Sequence, residues 1–159
     1  MSIGRDSSRG LQLLWPALAG AVQAASMAMP GSGQAHGWLQ ILSMTLLASG
    51  LAKIARPGLR TRFAHQQAAW FGGVFAAAWL AGSFWWLYVS MHDVGGMPAP
   101  LAALAVVALA SALALYYAAA AAVWVALARH EGLQHPAWLS VVFAALWTLA
   151  EGMQRLKTA

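Results

Sequence analysis

The sequence predicts an all-α membrane protein of about five transmembrane helices with its N-terminus in the cytoplasm. Three observations predict it. The 159 residues carry only nine Lys and Arg and four Asp and Glu, 8% charged, against 61% apolar types. A soluble domain holds roughly 25% charged residues and needs them to cover its surface. The charges that exist lie between long apolar runs, since 10–52, 63–92, 94–128 and 132–150 contain no Asp, Glu, Lys or Arg. Disorder is excluded, because it requires low hydrophobicity and high net charge.

A helix crosses the hydrocarbon core with about 20 apolar residues. The first run is long enough for two crossings and is broken by Met29-Pro30-Gly31-Ser32-Gly33-Gln34. Proline and clustered glycines end helices. The expected spans are therefore 11–29 and 38–55, then 68–90, 100–128 and 136–151. Residues 1–10 form a cytoplasmic tail and 152–159 an atypical C-terminal one. The fourth span exceeds a core of about 30 Å and must tilt or protrude. The fifth is marginal, with Glu151 at its end. Pro100 and Pro136 suit first helical turns. Arg5, Arg9 and the Val22-Gln23-Ala24 segment resemble a cleaved signal peptide. Pro16 and Gln23 interrupt that apolar stretch, which is also long for a signal, so the segment is read as a retained span.

Orientation follows from the cations. Arg5, Arg9, Lys53, Arg56, Arg60, Arg62 and Arg129 all fall on one side of this topology, and the positive-inside rule makes that side cytoplasmic. With Asp6 and Glu131 they account for the formal charge of +5. Arg155 and Lys157 balance Asp93 and Glu151 on the outer side. The basic balance thus encodes topology and attraction to anionic head groups, and needs no nucleic-acid partner. Trp38, Trp70, Trp85, Trp86, Tyr88, Trp124 and Trp138 lie near span ends, where amphipathic rings anchor at the interface. Ala68-Gly72-Ala76 and Gly73-Ala77-Ala81 give the third span small faces for close helix packing.

Little in the chain carries chemistry. No span holds a charged residue before Glu151, which argues against a proton pump, ion channel or coupled transporter. With no Cys, disulfides, thiolate metal sites and thiol nucleophiles are excluded. His36, His65, His92, His130 and His135 are scattered over loops without metal-ligand spacing, so no metal or other cofactor is expected. No Walker motif, dinucleotide fingerprint or nucleophile–base pair is present. Tyr116 and Tyr117, mid-span, read as helix-packing residues whose hydroxyls need partners. The distinctive segment is 85–100. Aromatics end a span, a short polar stretch follows, then two glycines that permit positive φ, and Pro-x-Pro opens the next helix. From the residues alone this is a tight re-entry turn.

The same segment resembles a family. Trp86, Tyr88, Val89, Ser90, Gly95, Gly96, Met97, Pro98 and Pro100 form a W-x-Y-V-S-x-x-x-x-G-G-M-P-x-P pattern similar to the membrane region of bacterial apolipoprotein N-acyltransferases. Leu113, Leu115, Tyr116 and Tyr117 fit that family's L-x-L-Y-Y, and Ala145-Leu146-Trp147 with Glu151 resembles its A-L-W-x-x-x-E. The likeness runs over about 10–151. It implies a bacterial inner-membrane, multi-pass enzyme of lipoprotein maturation. Such an enzyme moves an acyl chain from a phospholipid to the α-amino group of a lipid-modified N-terminal cysteine. Its partners are the bilayer, the phospholipid donor and the lipoprotein acceptor.

The resemblance places that chemistry in a periplasmic nitrilase-like domain with a Glu-Lys-Cys triad, so no catalytic residue is expected in this stretch. It places the 85–100 loop on the periplasmic side, in agreement with the cation count. It offers Tyr88, Ser90, Gly95, Gly96, Met97 and Pro98 as substrate-binding residues, shaping the approach of two lipid-bearing substrates from the outer leaflet. After Glu151 the family continues with an aromatic, an arginine and a glycine, then Gly-Phe-Pro-Trp. This chain reads Gly152-Met153-Gln154-Arg155, its arginine one place off. The expectation is a truncated or frame-shifted product, a deliberately shortened chain or a natural short paralogue, catalytically incomplete by itself. The alternative is a non-enzymatic small membrane protein, a carrier subunit or assembly factor.

Overall fold

The computed structural model describes residues 3–27, 36–56, 61–130 and 136–156, with side chains at 14–26, 36–56, 62–130 and 138–149. The Met29–Gln34 break and the segments 57–60 and 131–135 lie outside the described residues. Among the described residues every regular element is helical: α1 (Ile3–Met27), α2 (Gly37–Ala55), α3 (Thr61–Ser83), α4 (Trp85–Val89), a π-helical turn (Ser90–Val94), α5 (Ala99–Ala128) and α6 (Pro136–Leu156).

The expected spans correspond to helices, with shifted ends. α1 begins inside the expected tail, at Ile3, and α6 runs past Glu151 to Leu156. α3 starts at Thr61, seven residues ahead of the expected 68. The expected count of about five crossings is not confirmed. Among the described residues only α2 and α5 are long and apolar enough to cross a membrane alone. A third crossing is gained if α3 and the helix after it are one bent span. Within α6, the described stretch Trp138–Leu149 is apolar.

α5 is rich in alanine and leucine, the strongest helix formers. It starts after Pro98, with Pro100 in its first turn, where a missing N–H costs nothing. Its buried stripe is Ala102, Val106, Ala110, Ala114, Tyr117, Ala121 and Val125. That spacing of three and four puts one narrow face of small residues against α3. The partner face on α3 uses the small residues read from the sequence, with Ala68 and Ala76 fully buried. At Gly72 a Cβ would lie 2.5 Å from the Ala121 Cβ and 3.1 Å from the Tyr117 carbonyl oxygen. In lipid, helices associate through such close packing because the tails are as apolar as the side chains.

The contacts also fix relative directions. Gly20 abuts Phe75 and Ala78, and Ala24 abuts Gly82, so α1 and α3 run the same way. Trp124 Nε1 donates to the Leu139 carbonyl at 3.0 Å, while Trp147 packs on Tyr117 with ring centroids 4.6 Å apart. α5 and α6 therefore run antiparallel. The Ser43 hydroxyl on α2 donates to the Ala19 carbonyl on α1 at 2.7 Å.

An aromatic cluster fills the middle. Trp79 stacks on Trp147 at 6.2 Å, and Phe75 and Phe143 pack on Trp147 at 5.8 and 5.7 Å. Tyr117 is buried among them, in the packing role expected for it. Trp124 is a correction: it is buried in the α5–α6 contact and does not face the interface. Trp38, Trp70, Trp85, Trp86 and Trp138 are well exposed, as membrane-facing anchors would be.

Candidate functional site

The 85–98 segment is more regular than its sequence suggests. The helix does not end at Ser90 in a polar loop. It bends by 50° between α3 and α4 and then continues. The bend follows a Gly82-Ser83 pair, a common cause of kinks. Phe84 leaves helical geometry at φ −89 and ψ 15. The Leu87 N–H donates to the Phe84 carbonyl at 2.9 Å, which tightens the restart.

Ser90–Val94 then widens into a single π turn. Such turns are rare and are found mostly at functional sites. Two backbone bonds close it: Gly95 N–H to the Ser90 carbonyl and Met97 N–H to the Met91 carbonyl, both 3.0 Å. The glycines have separate duties. A Cβ on Gly95 would lie 2.9 Å from the Met91 carbonyl oxygen, so the turn closes only without one. Gly96 has φ +67, the left-handed conformation that glycine adopts at little cost. Pro98 caps α5, and its carbonyl accepts from Leu101 at 2.9 Å and Ala102 at 3.1 Å.

Side chains pin the turn from one flank. The His92 Nδ1 lies 2.8 Å from the Met97 carbonyl oxygen. Tyr88 packs on the His92 ring at 5.6 Å and stacks on Trp85 at 5.1 Å. Trp85, Tyr88 and His92 thus form a ladder leading to Met97. The His92 Nε2 stands 4.0 Å from an Asp93 carboxylate oxygen, and both side chains are part-exposed.

Comparison with known proteins decides the family. Residues 19–157 match the apolipoprotein N-acyltransferase N-terminal domain. The chain belongs to this family. It is 49% identical over 140 residues to the apolipoprotein N-acyltransferase of Verminephrobacter eiseniae, covering 88% of the chain and 25% of that relative. It is 42% identical over 117 residues to the enzyme of the same name from Ralstonia nicotianae, covering 74% of the chain and 21% of that relative. The putative enzyme of Bordetella parapertussis is 34% identical over 146 residues. The chain spans about a quarter of the length of these relatives and matches their N-terminal region. With its apolar helices, it is a membrane protein.

All six residues proposed from the family pattern fall in the segment just described. Ser90, Gly95 and Met97 are joined by the turn's backbone bonds, and Gly96 and Pro98 set the chain's exit into α5. Tyr88 is half-buried and reaches Met97 only through His92. Sequence reasoning set His92 aside with the other scattered histidines. The available signal was its i, i+4 spacing from Tyr88, a helical spacing that an irregular loop would not honour. The apolar crevice between α2, α5 and α6 is lined by Leu51, Ala121, Trp124, Phe143, Leu146 and Trp147, away from the turn. Among the described residues no cluster of His, Cys, Asp or Glu could hold a metal ion.

Proposed function

We propose that this chain is the membrane module of an apolipoprotein N-acyltransferase, the enzyme that transfers an acyl chain from a phospholipid to the N-terminal amino group of lipoproteins. The observation that carries the reading is 49% identity across 88% of the chain to the N-terminal quarter of a relative bearing that name. The module sits multi-pass in the bacterial cytoplasmic membrane with its N-terminus inside, a placement supported by the one-sided cations Lys53, Arg56, Arg62 and Arg129. The thioester chemistry expected of the family needs a cysteine, and these 159 residues contain none. The module therefore anchors and orients. Its outer turn, with Tyr88, Ser90, Gly95, Gly96, Met97 and Pro98, shapes the approach of the donor phospholipid and acceptor lipoprotein.

A chimaera tests this reading. The chain replaces the matching N-terminal region of a full-length relative in cells depleted of their own enzyme. Restored N-acylation, read by mass spectrometry of lipoprotein N-termini, is expected. The chain by itself should give none. A chimaera that inserts at normal levels yet stays inactive would overturn the reading, as would acylation by the isolated chain.

A further inference from the structure

We infer that Gln23, Trp79 and Ser83 form a binding site for ordered water inside the helix bundle, beside the bend where α3 gives way to α4. α1 buries one face, Pro16, Ala19, Gln23 and Ser26, spaced by three and four. Gln23 on that face is fully buried, yet neither its amide nitrogen nor its amide oxygen has a hydrogen-bond partner. A buried amide without partners is costly, and more so in lipid, where no bulk water reaches it.

Side chains across the seam are in the same condition. Gly20 abuts Ala78 and Ala24 abuts Gly82, so 20–24 runs alongside 78–82 and Gln23 stands at the level of Trp79 and Ser83. Those two are four residues apart and share a face of α3. The Trp79 Nε1 and the Ser83 Oγ are both buried and both unpartnered. Trp147, stacked on Trp79 with ring centroids 6.2 Å apart, adds its own buried and unpartnered Nε1. The buried hydroxyls of Ser26 and Ser43 are spent on backbone. Ser26 donates to the Gln23 carbonyl at 2.6 Å and Ser43 to the Ala19 carbonyl at 2.7 Å.

The chemistry of these groups selects the ligand. The indoles can only donate, the Gln23 oxygen can only accept, the Gln23 nitrogen donates and the Ser83 hydroxyl does both. A small neutral molecule that both donates and accepts serves such a mixed set, and water does so in protein interiors. An ion finds no countercharge here, since 10–52 and 63–92 hold no Lys, Arg, Asp or Glu. A hydrocarbon tail offers neither donor nor acceptor. Ser83 is the last residue of α3, and the 50° bend follows it. Inserted water is an established cause of helix kinks, so the water that satisfies Gln23 also holds α4 and the π turn at their angle to α3. The site does not depend on the acyltransferase reading.

The test is solid-state NMR of the full chain in deuterated lipid bilayers, reading magnetisation passed from water protons to isotope-labelled indole and glutamine side chains. Transfer is expected to the Trp79 indole and the Gln23 amide. None is expected to the Trp124 indole, whose N–H is given to the Leu139 carbonyl at 3.0 Å. Ser83→Ala should weaken the Trp79 signal and Gln23→Leu should abolish it. Gln23→Leu should also lower the midpoint of unfolding by sodium dodecyl sulfate, because it leaves the Trp79 and Ser83 groups without their bridge. A stranded amide would give the opposite sign, since leucine in its place removes an unpaired polar group. The wild-type spectrum decides by itself should a variant fail to insert: a dry Trp79 or a dry Gln23 overturns the site. So does a Trp79 signal that survives both substitutions, or a midpoint raised by Gln23→Leu.

Discussion

The α3–α5 seam makes the most demanding prediction, because two adjacent glycines should respond oppositely. Replacing either with alanine in a helix gains about 1 kcal/mol of intrinsic propensity. At Gly73 the new Cβ would stand 3.3 Å from the Ala118 Cβ. A shift of a few tenths of an ångström restores ordinary contact, which lies at about 3.5–4.0 Å. Gly73→Ala should therefore be neutral or slightly stabilising. At Gly72 the Cβ would stand 2.5 Å from the Ala121 Cβ, with the Tyr117 carbonyl behind it. Neither atom belongs to a side chain that can swing aside, so the helices must part by about 1 Å to reach normal separation. Overpacking of this kind costs about 1–3 kcal/mol.

The net loss for Gly72→Ala, after the propensity gain, is up to about 2 kcal/mol. Gly72→Val should lose more, since its branches meet the same wall. The assay is unfolding by sodium dodecyl sulfate titrated into mild-detergent micelles. Tryptophan fluorescence reports it, because Trp79, Trp124 and Trp147 are buried near this seam. If Gly72→Ala proves as stable as Gly73→Ala, the close approach of α3 and α5 is refuted.

Further expectations follow from single contacts. Gly96→Ala should cost about 1–2 kcal/mol in the turn, the penalty of a left-handed residue with a Cβ, and should speed hydrogen exchange at the Met97 amide. Trp124→Phe keeps the ring in its pocket but removes the bond to Leu139, loosening α6 by about 1 kcal/mol in the same titration. Ser43→Ala should cost only about 0.6 kcal/mol, the average for interhelical side-chain bonds in membranes. The chain has no cysteine, so introduced thiols are unique reporters of sidedness. In intact spheroplasts Asp93→Cys should react with an impermeant maleimide and Arg62→Cys should not; the reverse pattern would invert the topology.

The helices were legible from the sequence because hydrophobic burial and backbone self-satisfaction in lipid act on local composition. Long uncharged runs can only be helices there. The small face of α3 was legible for a similar reason: residues four apart share a face whatever they pack against. The 85–100 segment was recognisable as distinctive but not as helical. Its π turn depends on the Met97 amide and carbonyl returning to Met91 and His92, and that closure is a property of the folded backbone. His92 escaped notice because its contact with the Met97 carbonyl exists only once the turn has closed.

What the sequence alone determined is membrane residence, an all-helical chain, the sidedness expected from its cations and the family pattern at 85–100, all of them set by residue type and order. What only the tertiary structure decided is which aromatics are anchors and which are core. Trp124 and Trp38 look alike in sequence, yet one is wedged between α5 and α6 and the other faces outward. The structure also decided where the third helix bends and that the His92 ring reaches the Met97 carbonyl. Those outcomes depend on atoms brought together from distant parts of the chain, and no local pattern encodes that proximity.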